Sequence, residues 1–375
     1  MKNLKKLTGG LAAAILALSG FAAQNAWADR TVVDDNGDNV TVPDTVERVV
    51  VTNVFPMASA VTVYTGSGRT VVGMHPSSMA AARSGTLGVL YPDVLKARTD
   101  FIKGADVNVE TLAAIKPDVV LVNAQDKKQL ERLRAAGLPA FGVSATKYGF
   151  NVLKTYEHWL GDLAQLWPEK KDLSEKLALE SREIEKLVAE RVAAIPADKR
   201  VRALVLFRTD PKTIVVSGKK FFGQYWLTKS GAVNVAEEVL APASNAVVTM
   251  EQVQGWNPEV LFITNFTAAT PETLASGEAD GRDWKGIEAV RTGRVHKMPL
   301  GVYRTFTPSA DAPLTLLWVA KTLYPDAFAD VDLKARVRAH YKDLYGVALS
   351  DAEIDRMFAP DAEAGRHAGG PVLSK

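Results

Sequence analysis

The sequence predicts an α/β fold: two similar lobes with parallel sheets, joined by a long backbone helix, with a ligand cleft between the lobes. Three observations carry that expectation. Strand-like and helix-like segments alternate from Arg48 to about Val143, and the alternation restarts at Arg200. A phrase recurs: "ETLAAIKPDVVLVN" (Glu110–Asn123) and "EQVQGWNPEVLFITN" (Glu251–Asn265). Each copy has a glutamate, a proline seven residues on, then an acid, an apolar strand-like run and an asparagine. Between the halves lies a helical stretch broken by no turn cluster except "WPEK".

Residues 1–28 read as a secretory signal. Lys2, Lys5 and Lys6 precede an apolar run from Leu11 to Ala23, and "AWA" (Ala26–Ala28) supplies small residues for cleavage before Asp29. That run is too short to span a bilayer. The chain has no cysteine, so neither a lipid-anchored cysteine, a disulfide, a thiolate zinc site nor a cysteine nucleophile is expected. A periplasmic protein follows, acting as a monomer.

The first lobe spans 29–150. "RVVVTN", "TVVGM", "PDVVLVN" and "PAFGVS" read as strands, while "FPMASAVTVY", "ETLAAI" and "KKQLERLRAAG" read as helices. Continuous apolar strands alternating with helices give a Rossmann-like parallel sheet covered on both faces. From 151 to 195 the period becomes helical. After Pro168, Leu173, Leu177, Ile184, Leu187, Val188 and Val192 recur at helical spacing. Roughly 27 residues of helix span about 40 Å, which suits a strut between lobes.

The second lobe, 196–346, repeats the alternation. "VRALVLFRT", "NPEVLFITN" and "RVHKMP" are strands; "FGQYWLTKSG" and "SADAPLTLLWVAKTLYP" are helices. The recurring phrase sits at the same place in each half, so this is a duplication at domain scale. Residues 347–375 form a tail with one short helix near Asp351–Phe358, and its end, "EAGRHAGGPVLSK", reads as mobile.

Ligands of open parallel sheets bind outside the carboxyl ends of strands. The loops there include "NVFP", "MHPSS", "NAQD", "SATKYGF", "FRTDP", "SGKKFFGQYW", "NFT" and "GVYRTF". They carry the cations Arg208, Lys219, Lys220, Arg304 and Lys147, with His75, and the aromatics Tyr148, Phe221, Phe222, Tyr225, Trp226, Tyr303 and Phe306. Cations among aromatic walls suit a partly apolar anion. Arg208, Tyr303 and Arg304 are the first contacts expected, then Lys219, Lys220, His75 and Tyr148. Each also has a plainer reading, as a packed core ring or a solvated turn cation.

Several classes are excluded. The full chain holds 45 basic and 43 acidic residues; without the signal the balance is 42 to 43, which gives no case for nucleic acid. The five histidines are scattered, with no paired spacing for a metal. His75 or Tyr303 can still complete the coordination of a chelated metal. No GxSxG, Walker A or HExxH occurs, and the Gly-x-Gly of "YTGSGRT" precedes a strand instead of following one. An enzyme is not expected; a secreted α/β enzyme, a free-metal binder and a receptor-docking sensor remain the alternatives.

The signal, the two halves, the linking helix, "VNVETLAAIKPDVVLVN" and "VSGKKFFGQYWLTKSGAVNVAEE" together resemble class III periplasmic binding proteins of ABC importers, from Arg30 to about Gly346. The resemblance implies lobes that move little, with the ligand between them, and no cofactor of the protein's own. It also implies a surface glutamate on each lobe, here Glu110 and Glu251, that docks into arginine pockets of the inner-membrane permease. Two carboxylates on pseudo-symmetric lobes suit a twofold partner. The implied ligand is a small-molecule metal chelate, of the ferric siderophore type. Haem, cobalamin, another metal chelate and a molybdate-like oxyanion are the alternatives.

Overall fold

The computed structural model describes residues 29–104, 106–239 and 245–366. The expected signal peptide and residues 367–375 of the tail lie outside them. The described chain opens with an antiparallel hairpin, β1 (Asp29–Val33) and β2 (Asn39–Pro43). Its turn is pinned by Asp34, whose Oδ1 accepts from the amides of Asn36 and Asp38. The prediction above assigned no strand here.

The first half contains β3 (Val49–Val51), α1 (Met57–Thr65), β4 (Val71–Met74), α2 (Pro76–Ser84), α3 (Leu87–Leu90), a small pair β5 (Ile102–Lys103) and β6 (Asp106–Val107), α4 (Val109–Ala113), β7 (Val119–Asn123), α5 (Lys127–Ala135) and β8 (Ala140–Val143). The order β4-β3-β7-β8 is parallel throughout. The connecting segment, 151–195, is two helices divided at "WPEK": α6 (Val152–Leu166) and α7 (Lys171–Ala193). Trp167 leaves helical geometry and Pro168 opens a single 3-10 turn between them. α7 has 23 residues, about 35 Å.

The second half contains β9 (Arg202–Thr209), β10 (Ile214–Ser217), α8 (Phe222–Lys229), β11 (Val233–Asn234), β12 (Asn245–Val248), α9 (Met250–Trp256), β13 (Val260–Ile263), α10 (Pro271–Ser276), α11 (Glu288–Arg291), β14 (Val295–Lys297) and α12 (Ala312–Leu323). β11, β13 and β14 lie parallel to the course of β9, as expected. β10, however, is antiparallel to both β9 and β12, so this sheet is mixed. The reason is local. Asp210 accepts from the amides of Lys212 and Thr213, closing a tight hairpin too short for the crossover that parallel pairing needs.

The chain ends in α13 (Leu333–Tyr345), α14 (Asp351–Phe358) and α15 (Glu363–Arg366). The described part of the tail packs on the core: Ile354 and Met357 enter it, and the Leu300 amide donates to the Met357 carbonyl.

The recurring phrase folds the same way twice. Glu110 and Glu251 lie in the first turns of α4 and α9, capped by Asn108 and Thr249. Lys116 and Asn257, the residues before each proline, both take positive φ (53° and 43°). The acid after each proline then anchors the strand beside it. Asp118 accepts from the Glu47 and Arg48 amides at 2.7 Å, and Glu259 accepts from the Arg202 amide at 2.9 Å. Arg48 and Arg202 answer by donating to carbonyls at the ends of α4 and α9.

Strand pleating divides the core. Val50, Val120 and Val122 face an outer cluster of the first half, whereas Val49, Val51, Val119 and Leu121 face inward. Leu204 and Leu206 likewise face outward, and Ala203, Val205 and Phe207 inward. The inward faces belong to one continuous core with Trp159, Leu177, Val188 and Leu316 of the intervening helices. The two sheets share no strand among the described residues. Dense packing of that kind resists large hinge motion.

Candidate functional site

A cavity of about 260 Å³ lies where carboxyl ends of strands from both halves face each other. The first half supplies Asn53 after β3, Asn123 ending β7, Ala145 and Thr146 after β8, and Phe55, Phe150 and Trp159. The second supplies Phe207 on β9, Phe221 and Phe222 at the start of α8, Phe266 after β13, and Tyr303 and Thr307. Phe207 and Phe266 stack at 5.1 Å, and Phe150 meets Phe222 edge-on at 5.3 Å. Phe150 has a left-handed backbone (φ 65°), a conformation costing a non-glycine residue about 1 kcal/mol. Packing against Phe221 and Phe222 holds it there.

The polar groups are few and ordered. Asn53 accepts from the Asn123 amide at 2.7 Å and donates to Asp126 at 2.9 Å. Trp159 donates to the Ser144 carbonyl at 2.9 Å, which fixes its ring in the wall.

Of the expected contact residues, Tyr303 lines the cavity. Its phenol is raised in pKa by burial, against the pull of the neighbouring Arg304 charge. Arg304 is 0% exposed and sits behind the wall. Its Nε donates to the Asn265 carbonyl at 2.9 Å, and its Nη1 to the Ser77 carbonyl at 2.9 Å and to the Tyr303 hydroxyl at 3.2 Å. Its Cζ lies 5.1 Å from the Phe266 ring centre. The arginine therefore bolts one half to the other and places its charge behind two wall rings.

The remaining candidates lie outside the walls. Arg208 is half-buried, with Nε sequestered without a hydrogen-bond partner. Lys219 is exposed and pairs with Glu237 at 3.6 Å, and Lys220 is exposed. His75 caps α2, accepting from the Ser77 amide at 3.0 Å, with its ring 4.3 Å from Phe55. Burial, with Arg304 adding to it, lowers its pKa to about 4, so the imidazole is neutral rather than cationic at neutral pH. Tyr148 stands at the rim of the first half, 3.5 Å from His158 Nδ1. The expected cationic lining is thus an aromatic one, because the loop cations point to solvent or into protein contacts. Sequence reasoning did not single out Phe150, Phe207, Phe266, Asn53, Asn123 or Trp159. For all but Trp159, which lies on α6, the signal available was their position at strand ends, within loops already named.

Glu110 and Glu251 are both exposed. Glu251 is held below the usual carboxylate range by hydrogen bonds, first to a backbone amide and then to Thr249.

Two α/β halves sharing a core, with an aromatic cavity at facing strand ends, define a two-lobed solute-binding protein. The chain matches the periplasmic binding protein family over residues 77–300 and belongs to it. It is 28% identical over 360 residues to the molybdate-binding protein MolA of Haemophilus influenzae, covering 91% of this chain and 97% of that one. A periplasmic solute binding protein from Veillonella parvula superposes with TM-score 0.79 and 26% identity, covering 91% and 100% of the two chains. The molybdate-bound structure of MolA gives 0.71 and 25%, covering 86% and 99%. These are binding proteins, in agreement with the expectation that the chain is not an enzyme. No helix of the described residues is long and apolar enough to cross a membrane.

Proposed function

We propose that this chain is the periplasmic, monomeric substrate-binding component of an ABC importer, and that it captures a small metal chelate of the ferric siderophore type between its halves. The observation that carries the reading is the phenylalanine-rich cavity. Such walls gain from burying the organic shell of a chelate, by roughly 25 cal/mol per Å² of apolar area. They offer a bare oxyanion few donors. The Arg304 charge behind Phe266 and Tyr303 favours a guest of negative charge, and Tyr303 is the residue placed to touch it. Glu110 and Glu251, exposed on equivalent helix starts, supply the two anchors for a twofold permease.

A molybdate-class oxyanion is the second reading, favoured by the extent of the similarity to MolA. The two are separated by calorimetric titration of the purified chain with molybdate and with ferric catecholate and hydroxamate chelates, alongside native mass spectrometry for a co-purified ligand. Binding of molybdate, with none of the chelates, overturns the first reading.

A further inference from the structure

The hairpin turn that opens the first lobe carries a cluster the cavity does not use. Asp35 on that turn, and His158 and Asp162 one turn apart on α6, bring three ligand atoms within 4.8 Å of one another. His158 Nε2 is hydrogen-bonded to Asp35 Oδ1, and lies 3.8 Å from Asp162 Oδ2, too far for a hydrogen bond. Asp35 is held from behind by the Ser144 amide, which donates to its Oδ2 at 2.7 Å. Asp162 is the telling member. It is 4% exposed, and its Oδ2 is buried without a hydrogen-bond partner, facing the imidazole and the second carboxylate. A buried carboxylate oxygen without a partner is costly. The charges around it are those of Asp35, His158, Asp34 and Lys147, the last of which reaches Asp35 with its Nζ at 3.0 Å from a half-exposed position.

The geometry points to a site for one divalent transition-metal cation, formed by Asp35, His158 and Asp162 and separate from the solute cavity. One imidazole and two carboxylates are a donor set for zinc, manganese or ferrous iron. His158 and Asp162, four apart on a helix, present their donors on one face, and the hairpin adds the third from across. On binding, the metal takes the Nε2 lone pair of a neutral His158 whose one ring proton sits on Nδ1, and any second proton, carried on Nε2 while the ring pairs with Asp35, leaves to solvent. Lys147 gives up Asp35 and swings outward. His158 Nδ1 keeps the Tyr148 hydroxyl as its outer partner. The cation would tie the N-terminal hairpin to α6 and to the end of β8, one layer behind Trp159.

The test is calorimetric titration of the chelator-stripped, full mature chain with Zn²⁺ alone, repeated with Co²⁺ while recording its visible d–d bands. One Zn²⁺ per chain is expected. Asp162→Asn and His158→Gln each weaken it by at least about 100-fold and abolish the Co²⁺ bands, with circular dichroism confirming that both are folded. Lys147→Gln, an exposed change that removes a competing cation, tightens Zn²⁺ binding. Absence of Zn²⁺ binding by the wild-type chain, or binding left equal by Asp162→Asn, overturns the site. If the Asp162 and His158 variants do not fold, Lys147→Gln decides: unchanged or weaker binding overturns it.

Discussion

Arg304 and Ser77, 227 positions apart, are joined by a 2.9 Å hydrogen bond from guanidinium to carbonyl oxygen that crosses from one half of the molecule to the other. The same guanidinium donates to Asn265, so one side chain satisfies carbonyls of both lobes. Arg304→Ala removes these buried hydrogen bonds between the halves and leaves a void where the guanidinium packed. A loss of about 2–4 kcal/mol in stability is expected, read as a lower denaturant midpoint. Arg304→Lys recovers part of it, since an ammonium reaches fewer acceptors at once. If Arg304→Ala melts like the wild type, the bolt has no energetic role.

Phe207 stacks on Phe266 across the cavity wall. Phe207→Leu keeps an apolar side chain there but removes the ring pair. The expected outcome is a folded protein, less stable by at most about 1.5 kcal/mol, that binds the proposed ferric chelate more weakly by about 1 kcal/mol. Quenching of tryptophan emission during titration reports the binding, since Trp159 stands in the cavity wall.

Glu110 and Glu251 project from α4 and α9 at equivalent positions. Replacing both with lysine reverses the charge of each proposed anchor without touching the cavity. Ligand affinity in solution is expected to stay within twofold or so (about 0.4 kcal/mol), while uptake by whole cells stops. Normal uptake by the double variant would remove the docking role.

His75 predicts a pH dependence of stability. Its folded pKa, about 4, lies below the ordinary 6.5, because burial disfavours the charged ring. On acidification the unfolded chain therefore takes up this proton first. The stability contributed by neutral His75 is complete above pH 6.5 and is lost as the pH falls from about 6.5 through about 4. His75→Asn preserves an acceptor for the Ser77 amide but does not titrate there. Its denaturation midpoint is expected to fall less than that of the wild type between about pH 7 and about pH 4.5.

Much of the architecture was legible in the chain because it is written locally. The recurring glutamate–proline–acid phrase foretold two equivalent helix–strand units, and the structure adds that each acid anchors the neighbouring strand. Apolar β-branched runs gave the parallel strands, and alternate residues of those runs face opposite cores. Two features were overlooked despite local signals. The Asp210–Thr213 turn makes β10 antiparallel, and the spacing of His158 and Asp162 matters only once Asp35 arrives beside them.

By itself the sequence determined the alternation of strands and helices in each half, that the unit is duplicated, and which loops gather at the strand ends, since periodicity, capping and proline act over a few residues. The tertiary structure alone decided which side chains in those loops line the cavity. Arg304 turned inward to carbonyls of both halves, Lys219 turned out to Glu237, and phenylalanines from both lobes closed on one cavity. Those choices depend on burial and on partners that lie from 18 (Lys219–Glu237) to 227 (Arg304–Ser77) positions away, and no short-range pattern encodes them.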